Sequence, residues 1–336
     1  MLMDAYAKSR TNDLIGLGWL SRFGWLRTAE LGKLLWPQSK GARQQADRLA
    51  RRWLERRLVL SRELPDGAGR ALVLATAGVR LLAEEDAWAT SGKDIGIVTG
   101  ETWRPPQTWR HDLLAAGVLA ELHKEGWTVF AEREIRQRQN NLTKFPDGLA
   151  TKGADVAWIE VERATKTGPN GRELVDALCA AGTGEATSVL GHKPTVALVA
   201  YQPDAIDTRG CAINHRARIT TAVANATKTE VKMMWAACEL RGPAGLGKVT
   251  FARETIEADL AGAILQRMEW RESTEEPGVL VASYGERLGA VWEEEDGFWG
   301  YQVDSRTGGL ADTEADAKRA CAAEIATLGS LKKTEP

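Results

Sequence analysis

The stretch Gly41-Ala-Arg-Gln-Gln-Ala-Asp-Arg-Leu-Ala-Arg-Arg-Trp-Leu-Glu-Arg-Arg57 sorts its residues onto two faces. Ala42, Ala46, Leu49, Ala50 and Trp53 fall three or four apart, the spacing that lays one apolar stripe along a helix. The opposite side carries Gln44, Arg48, Arg51 and Arg52, interrupted by the acid Glu55. A helix is therefore expected over 41–57. On its N-terminal side, Leu14, Ile15, Leu17, Trp19 and Leu20 suggest a first helix. Thr28-Ala-Glu-Leu31 with Leu34, Leu35 and Trp36 suggests a second, stopped by Pro37. On its C-terminal side, Leu58-Val-Leu60 and Ala71-Leu-Val-Leu74 read as two short strands around the Gly-rich tip Pro65-Asp-Gly-Ala-Gly69. A closing helix runs from Thr76 through Leu82.

Three helices followed by a two-stranded hairpin predict a winged helix-turn-helix over residues 10–90. In that geometry the third helix enters the major groove of duplex DNA and the wing touches the flanking backbone. Arg43, Gln44, Gln45 and Arg48, in the N-terminal half of the helix, are candidates for groove contacts. Arg51, Arg52, Arg62 and Arg70 would sit near phosphates. Charge agrees: ten Lys and Arg against three Asp and Glu lie between Arg27 and Arg62, whereas nine acidic residues face four basic ones between Glu286 and Arg319. The net charge of −2 conceals this asymmetry, and a polyanion would meet the N-terminal end first. The alternative is a solvated basic helix that packs against another protein.

A chain of 336 residues, 43% of them hydrophobic, can bury more than one core, so two or three domains are expected. Cys179, Cys211, Cys238 and Cys321 lie too far apart for a zinc or disulfide module and read as small core residues in a reducing compartment. The opening residues Met1–Arg10 lack a signal-peptide apolar stretch, and no run approaches the roughly 18 apolar residues needed to span a bilayer. A cytoplasmic protein is expected. The 13 tryptophans are dispersed, as core and interface anchors would be, rather than gathered into a stacking platform.

Pro105-Pro106 marks a boundary after the loose stretch 90–100. Over 105–260 the pattern reads as a helix (Thr108–Glu125), three strands (Trp127–Arg136, Phe145–Ala150, Asp155–Glu162), a helix (Arg172–Ala181), a strand (Thr195–Tyr201), a helix near Cys211–Ala224 and a strand (Val231–Leu240). This is an α/β core. One constellation in it carries chemistry. Glu160 and Glu162 share a strand face because the side-chain period is two, and Asp147 stands on the neighbouring strand. Three converging carboxylates repel one another unless a cation lies between them, and hard oxygens suit Mg²⁺ or Mn²⁺. The alternative is a set of solvated acids salt-bridged to Arg133, Arg136 or Arg163. His111 and His123 are more than three turns apart on one helix and read as structural or DNA-side residues.

The order helix, strand, Pro-Asp, then Glu-x-Glu, with a helix and strand following, resembles the PD-(D/E)XK nuclease superfamily. Combined with the N-terminal winged helix, the motifs Arg110-His-Asp-Leu-Leu114, Phe145-Pro-Asp-Gly148 and Trp158-Ile-Glu-Val-Glu-Arg-Ala-Thr-Lys-Thr-Gly168 look like the replication-relaxation family of plasmids and other mobile elements, over roughly residues 10–240. The resemblance implies DNA binding in plasmid replication or transfer, with metal-binding acids at Asp147 and Glu160 and Mg²⁺- or Mn²⁺-dependent endonuclease or nickase chemistry. The superfamily usually carries lysine where this chain has Glu162. Lys166 or Arg163 is placed to substitute for it, and Glu121 on the preceding helix to add a carboxylate. A non-catalytic regulator with a degenerate nuclease fold is the alternative. Expected partners are double-stranded DNA, other replication or transfer proteins and a second copy of the chain, with no membrane.

Gly242-Pro-Ala-Gly-Leu-Gly-Lys248 has phosphate-loop spacing, but Val249 stands where a Ser or Thr should hold magnesium, and Val249-Thr-Phe251 continues as a strand where a helix should begin. A Gly-rich hairpin turn is expected. Over 275–330, strands at Val279–Ala282, Gly289–Trp292 and Phe298–Val303 precede a helix capped by Thr313, with Ala317, Ala320, Cys321 and Ile325 facing inward. This is a small sheet-plus-helix module, whose aromatic strand is expected to pack on its own helix. The tail Ser330–Pro336 is expected to be disordered.

Overall fold

The computed structural model describes residues 2–331 apart from 86, 88, 100, 101, 165, 167, 207–209, 242–244, 295, 296, 305 and 306. It is a mixed α/β protein with several separate sheets. Among the described residues no helix is long and apolar enough to cross a membrane. The chain divides into two compact units, one of residues 1–217 and 232–255, the other of 218–231 and 256–336.

The first unit opens with α1 (Leu2–Phe23), β1 (Trp25–Leu26), α2 (Thr28–Leu35) and α3 (Ala42–Glu55), followed by β2 (Val59–Glu63), β3 (Arg70–Leu74) and α4 (Thr76–Ala83). The buried positions of α3 are Ala42, Ala46, Leu49, Ala50 and Trp53, the stripe read from the sequence. Gly32 of α2 sets how closely α3 approaches: a Cβ there would lie 2.7 Å from the Ala42 carbonyl carbon and oxygen. Asp13, 5% exposed, ties α1 to α3 by accepting from Trp53 Nε1 at 2.8 Å, Arg52 at 2.9 Å and Arg56 at 2.7 Å. The sheet order is β1-β3-β2. Two-residue β1 was not expected; it pairs antiparallel with β3, Trp25 against Val73 and Leu26 against Leu72.

A short hairpin, β4 (Ile97–Thr99) with β5 (Thr102–Arg104), leads into α5 (Trp109–Lys124). The segment expected as one strand over 127–136 is instead β6 (Thr128–Ala131) followed by α6 (Glu132–Arg138). Helical spacing explains the change: Glu132 pairs with Arg136 at 2.6 Å and Glu134 with Arg138 at 2.9 Å, both four residues apart, and Arg22 of α1 binds Glu134 at 2.6 Å. Then come β7 (Gly148–Lys152), β8 (Asp155–Glu162), α7 (Gly168–Thr183), β9 (Val196–Tyr201), α8 (His215–Ala226), β10 (Val231–Arg241) and β11 (Gly245–Ile256). They form a six-stranded sheet in the order β11-β10-β9-β8-β7-β6. β6, β7 and β8 are antiparallel, whereas β8, β9 and β10 run parallel. Val249–Phe251 lie in strand β11, as expected, but the strand already begins at Gly245, so Gly245–Lys248 are extended where a turn was expected; Gly242, Pro243 and Ala244 of the phosphate-loop-like stretch lie outside the described residues.

One apolar core joins the N-terminal helices to the six-stranded sheet. Leu17, Leu31, Leu49 and Trp53 of the N-terminal helices belong to the same buried cluster as Leu119 of α5 and Ile159 of β8. A smaller cluster joins Leu64, Ala68 and Val73 of the hairpin to Trp109 and Leu113 of α5.

The second unit contains residues 218–226 of α8, α9 (Leu260–Leu265) and an antiparallel sheet in the order β12 (Arg271–Glu272), β13 (Val279–Tyr284), β14 (Arg287–Glu293), β15 (Trp299–Val303) and β16 (Thr307–Ala311), then α10 (Glu314–Leu331). Thr313 caps α10 by accepting from Asp316 N at 3.1 Å. Ala317, Cys321 and Ile325 face the core with Val291 and Val303, and Trp299 and Tyr301 pack against it, so the aromatic strand covers its own helix. Ala320 is only half-buried. Ser330 belongs to α10 rather than to a tail, while residues 332–336 lie outside the described residues.

Candidate nucleic-acid face and carboxylate cluster

Burying the apolar stripe of α3 turns its polar side outward. Arg43, Gln44, Arg48 and Arg51 are exposed, and among the described residues the three arginines form no ion pair. Arg48 Nε reaches back to the Gln44 carbonyl at 3.4 Å. Other residues expected at this face already have partners within the protein. Arg52 is held by Asp13, Gln45 Nε2 donates to Ser39 Oγ at 2.9 Å, and Arg62 is half-buried with its guanidinium 5.9 Å from the centre of the Trp103 ring. Arg70 is exposed at the start of β3. The tip between β2 and β3 is not free either: Leu64 and Ala68 are buried, Arg27 donates to the Ala68 carbonyl at 3.1 Å, and Asp66 is ion-paired with Arg110 of α5.

The second site grows from strand alternation in β8. Ile159 and Val161 enter the core on the α5 side. Trp158 lies on the other face, in a cavity of about 520 Å³ lined with α7 residues such as Arg172 and Asp176. Glu160 and Glu162 follow on that face by the period of two. Glu160 is 1% and Glu162 0% exposed. Asp147 precedes β7, and its backbone N–H donates to the Ile159 carbonyl at 2.9 Å. Its Oδ2 accepts the Val161 N–H at 2.7 Å, so the carboxylate completes the ladder at the sheet margin.

Each acid has a cationic partner. His111 Nε2 of α5 lies 3.1 Å from Asp147 Oδ2, and its Nδ1 lies 3.5 Å from Asp112. Lys144 Nζ sits 2.9 Å from Glu160 Oε2, and Trp158 Nε1 donates to Glu160 Oε1 at 2.7 Å. Lys166 Nζ lies 2.6 Å from Glu162 Oε1, while Glu162 Oε2, fully buried, has no hydrogen-bond partner among the described residues. Arg133, Arg136 and Arg163, the arginines considered as partners of these acids, form no ion pair with them; Arg136 instead pairs with Glu132 and lies over the Phe145 ring.

Titration follows from these contacts. Burial would pull His111 down, but hydrogen bonds to Asp112 and Asp147 and the charges of both acids outweigh it and raise the imidazole to about 10. Burial would raise Asp147; bonding to His111, the charge of His111, the Val161 N–H and Lys144 together hold it below the ordinary carboxylate range. Glu160 is pushed up to about 7, chiefly by burial and then by the charge of Asp147, against Lys144 and Trp158. Burial also raises Glu162, opposed by Lys166. His111 and Lys144 were the members of this cluster not anticipated from the sequence. Glu121 is not part of it: ten residues beyond His111 on α5, about 15 Å along the axis, it pairs with Lys33 of α2 at 2.6 Å.

The donor set has the right chemistry for Mg²⁺ or Mn²⁺, but the arrangement does not fit an ion. Glu160 spends both oxygens on Lys144 and Trp158, and among the described residues no group of three or more His, Cys, Asp and Glu side chains is placed to share a metal. A cavity of about 420 Å³ opens beside the cluster, lined by His111 and Asp147 together with Phe23, Ile95, Arg133 and Arg136. No family model, curated protein or solved structure compared with the chain matches it at a significant level. The likeness to the replication-relaxation family therefore rests on the sequence motifs alone.

Proposed function

We propose that the chain is a double-stranded-DNA-binding protein of a plasmid or other mobile element, with α3 as the recognition helix of a winged helix-turn-helix and the six-stranded sheet as a PD-(D/E)XK-like core. The observation that carries this reading is the outward face of α3, where Arg43, Arg48 and Arg51 are exposed and lack any acidic partner among the described residues. A guanidinium without a carboxylate is available to a phosphate or to a guanine edge. The order helix, strand, two helices and hairpin, with the sheet order β1-β3-β2, supports the winged-helix assignment. The hairpin tip is bound to α5, so backbone contacts from the wing are assigned to Arg70 rather than to the tip.

The test is duplex affinity as a function of salt. Arg43→Glu, Arg48→Glu and Arg51→Glu combined should abolish binding at moderate ionic strength, and single neutral substitutions should each lower the slope of log affinity against log salt by about 0.9 per lost phosphate contact. Unchanged affinity and slope in the triple variant would refute the reading. A scaffold that binds only protein predicts no salt-dependent DNA affinity at all.

For the core two versions compete. As a metal-dependent endonuclease or nickase, it would cut supercoiled plasmid in Mg²⁺ or Mn²⁺ and lose that activity in Asp147→Ala and Glu160→Ala. As a non-catalytic regulator of replication or transcription, it would leave plasmid topology unchanged. The pairing of every carboxylate with His111, Lys144 or Lys166 favours the regulator.

A further inference from the structure

Arg163 leaves β8 immediately after Glu162, half-buried, and makes no hydrogen bond or ion pair with any described residue. It shares a notch of about 20 Å³ with Arg110 of α5 and Gln202 at the end of β9, walled by Leu113, Leu114 and Leu246. The side-chain amide of Gln202 also lacks a partner among the described residues. Arg110 stacks over Trp109 with its guanidinium 4.8 Å from the ring centre and reaches the exposed Asp66 in the turn between β2 and β3. Two arginines thus line one small recess whose lining contains no carboxylate, the acid paired with Arg110 standing outside it. Arg163 is left without an anion among the described residues. The recess has room for about one oxygen atom.

We propose that this notch is an oxyanion site that takes a phosphate of the DNA backbone. One phosphate oxygen enters between the Arg163 guanidinium and the Gln202 amide, and Arg110 closes on it after exchanging Asp66 for the phosphate. The bidentate donor geometry of arginine suits this ligand better than a lysine would. The source of the phosphate rests on the DNA-binding reading given above; the notch itself does not. The exchange at Asp66 also links the β2–β3 turn to the acidic strand β8.

Two arms test it with the full chain. In the first, inorganic phosphate replaces chloride at fixed ionic strength while arginine Nε–Hε resonances are followed. The signals lost in Arg163→Lys and Arg110→Lys should shift saturably in the wild type, and Gln202→Leu should weaken the midpoint several-fold. Shifts that are linear, or equal to those of the exposed Arg43, overturn the notch. In the second arm, a short duplex should bind Arg163→Gln more weakly, with the salt slope reduced by about one, and Asp66→Asn more tightly. Saturable phosphate binding by a wild type without salt-dependent duplex affinity upholds the notch and overturns its assignment to DNA. Duplex binding that is lost with the α3 arginines but unaffected by Arg163→Gln overturns the assignment of the notch to DNA and leaves the α3 reading standing.

Discussion

Replacing Asp13 by alanine removes a carboxylate that holds α1 against α3. Trp53 is 0% exposed, and its indole N–H, 2.8 Å from Asp13, would be left in the core without an acceptor. Leaving a buried donor unsatisfied costs about 1–3 kcal/mol. Arg52 and Arg56 also lose their partner, but both side chains are about half exposed, at 47% and 49%. Each of those ion pairs adds at most about 1 kcal/mol once solvent screening is counted. The variant should therefore lose about 2–4 kcal/mol, which for a unit of this size lowers the melting temperature by about 5–15 °C. Thermal unfolding followed by circular dichroism measures this directly. Arg52→Gln, which leaves the Trp53 bond intact, should fall by less than a third as much. A melting temperature for Asp13→Ala within 2 °C of wild type would refute the view that the buried indole bond, rather than the surface pairs, holds the two helices together.

Other outcomes follow from neighbouring features. Gly32→Ala should destabilise by about 1–3 kcal/mol despite the better helix propensity of alanine, because the new methyl meets the Ala42 backbone; a more stable variant in chemical denaturation would contradict that packing. His111, raised in the folded state from 6.5 to about 10, contributes stability that is complete below pH 6.5 and is lost as the pH rises through 10. His111→Gln should therefore flatten the fall in melting temperature between pH 7 and 10, and an unaltered profile would show that the imidazole is not charged in the fold. Burial pushes Cys179 and Cys321 up to about 11 and Cys238 to about 12, whereas Cys211 is exposed. A thiol reagent at pH 8 should label one fast site per native chain, and Cys211→Ser should remove it.

Where a pattern was local, it could be read before the fold was known. The α3 stripe and the bounds of β8 follow from periods of 3.6 and two, whereas the pairing of Lys166 with Glu162, across the end of a strand, was not read from the sequence. The inward face of α10 was legible for the same reason. The strand expected over 127–136 failed because Val129, Phe130 and Ile135 suggested an extended run. The signal for helix was the pair of Glu-Arg spacings at 132–136 and 134–138. Two-residue β1 is too short to carry any periodicity; only its pairing with β3 defines it. The partners of Asp147 and Glu160 depend on tertiary folding. His111 lies 36 residues from Asp147 and Lys144 lies 16 from Glu160, so no helix or strand period could join them. The diversion of Arg52, Gln45 and Arg62 from the solvent face was invisible for a related reason, since Asp13, Ser39 and Trp103 come from other segments.

The apolar core shared by the N-terminal helices and the six-stranded sheet has a mechanical consequence. Because Trp53 of α3 and Ile159 of β8 belong to one buried cluster, cutting the chain near residue 90 would strip both halves of their packing instead of liberating two folded modules. It also means that the arginine face and the acidic strand cannot swivel independently.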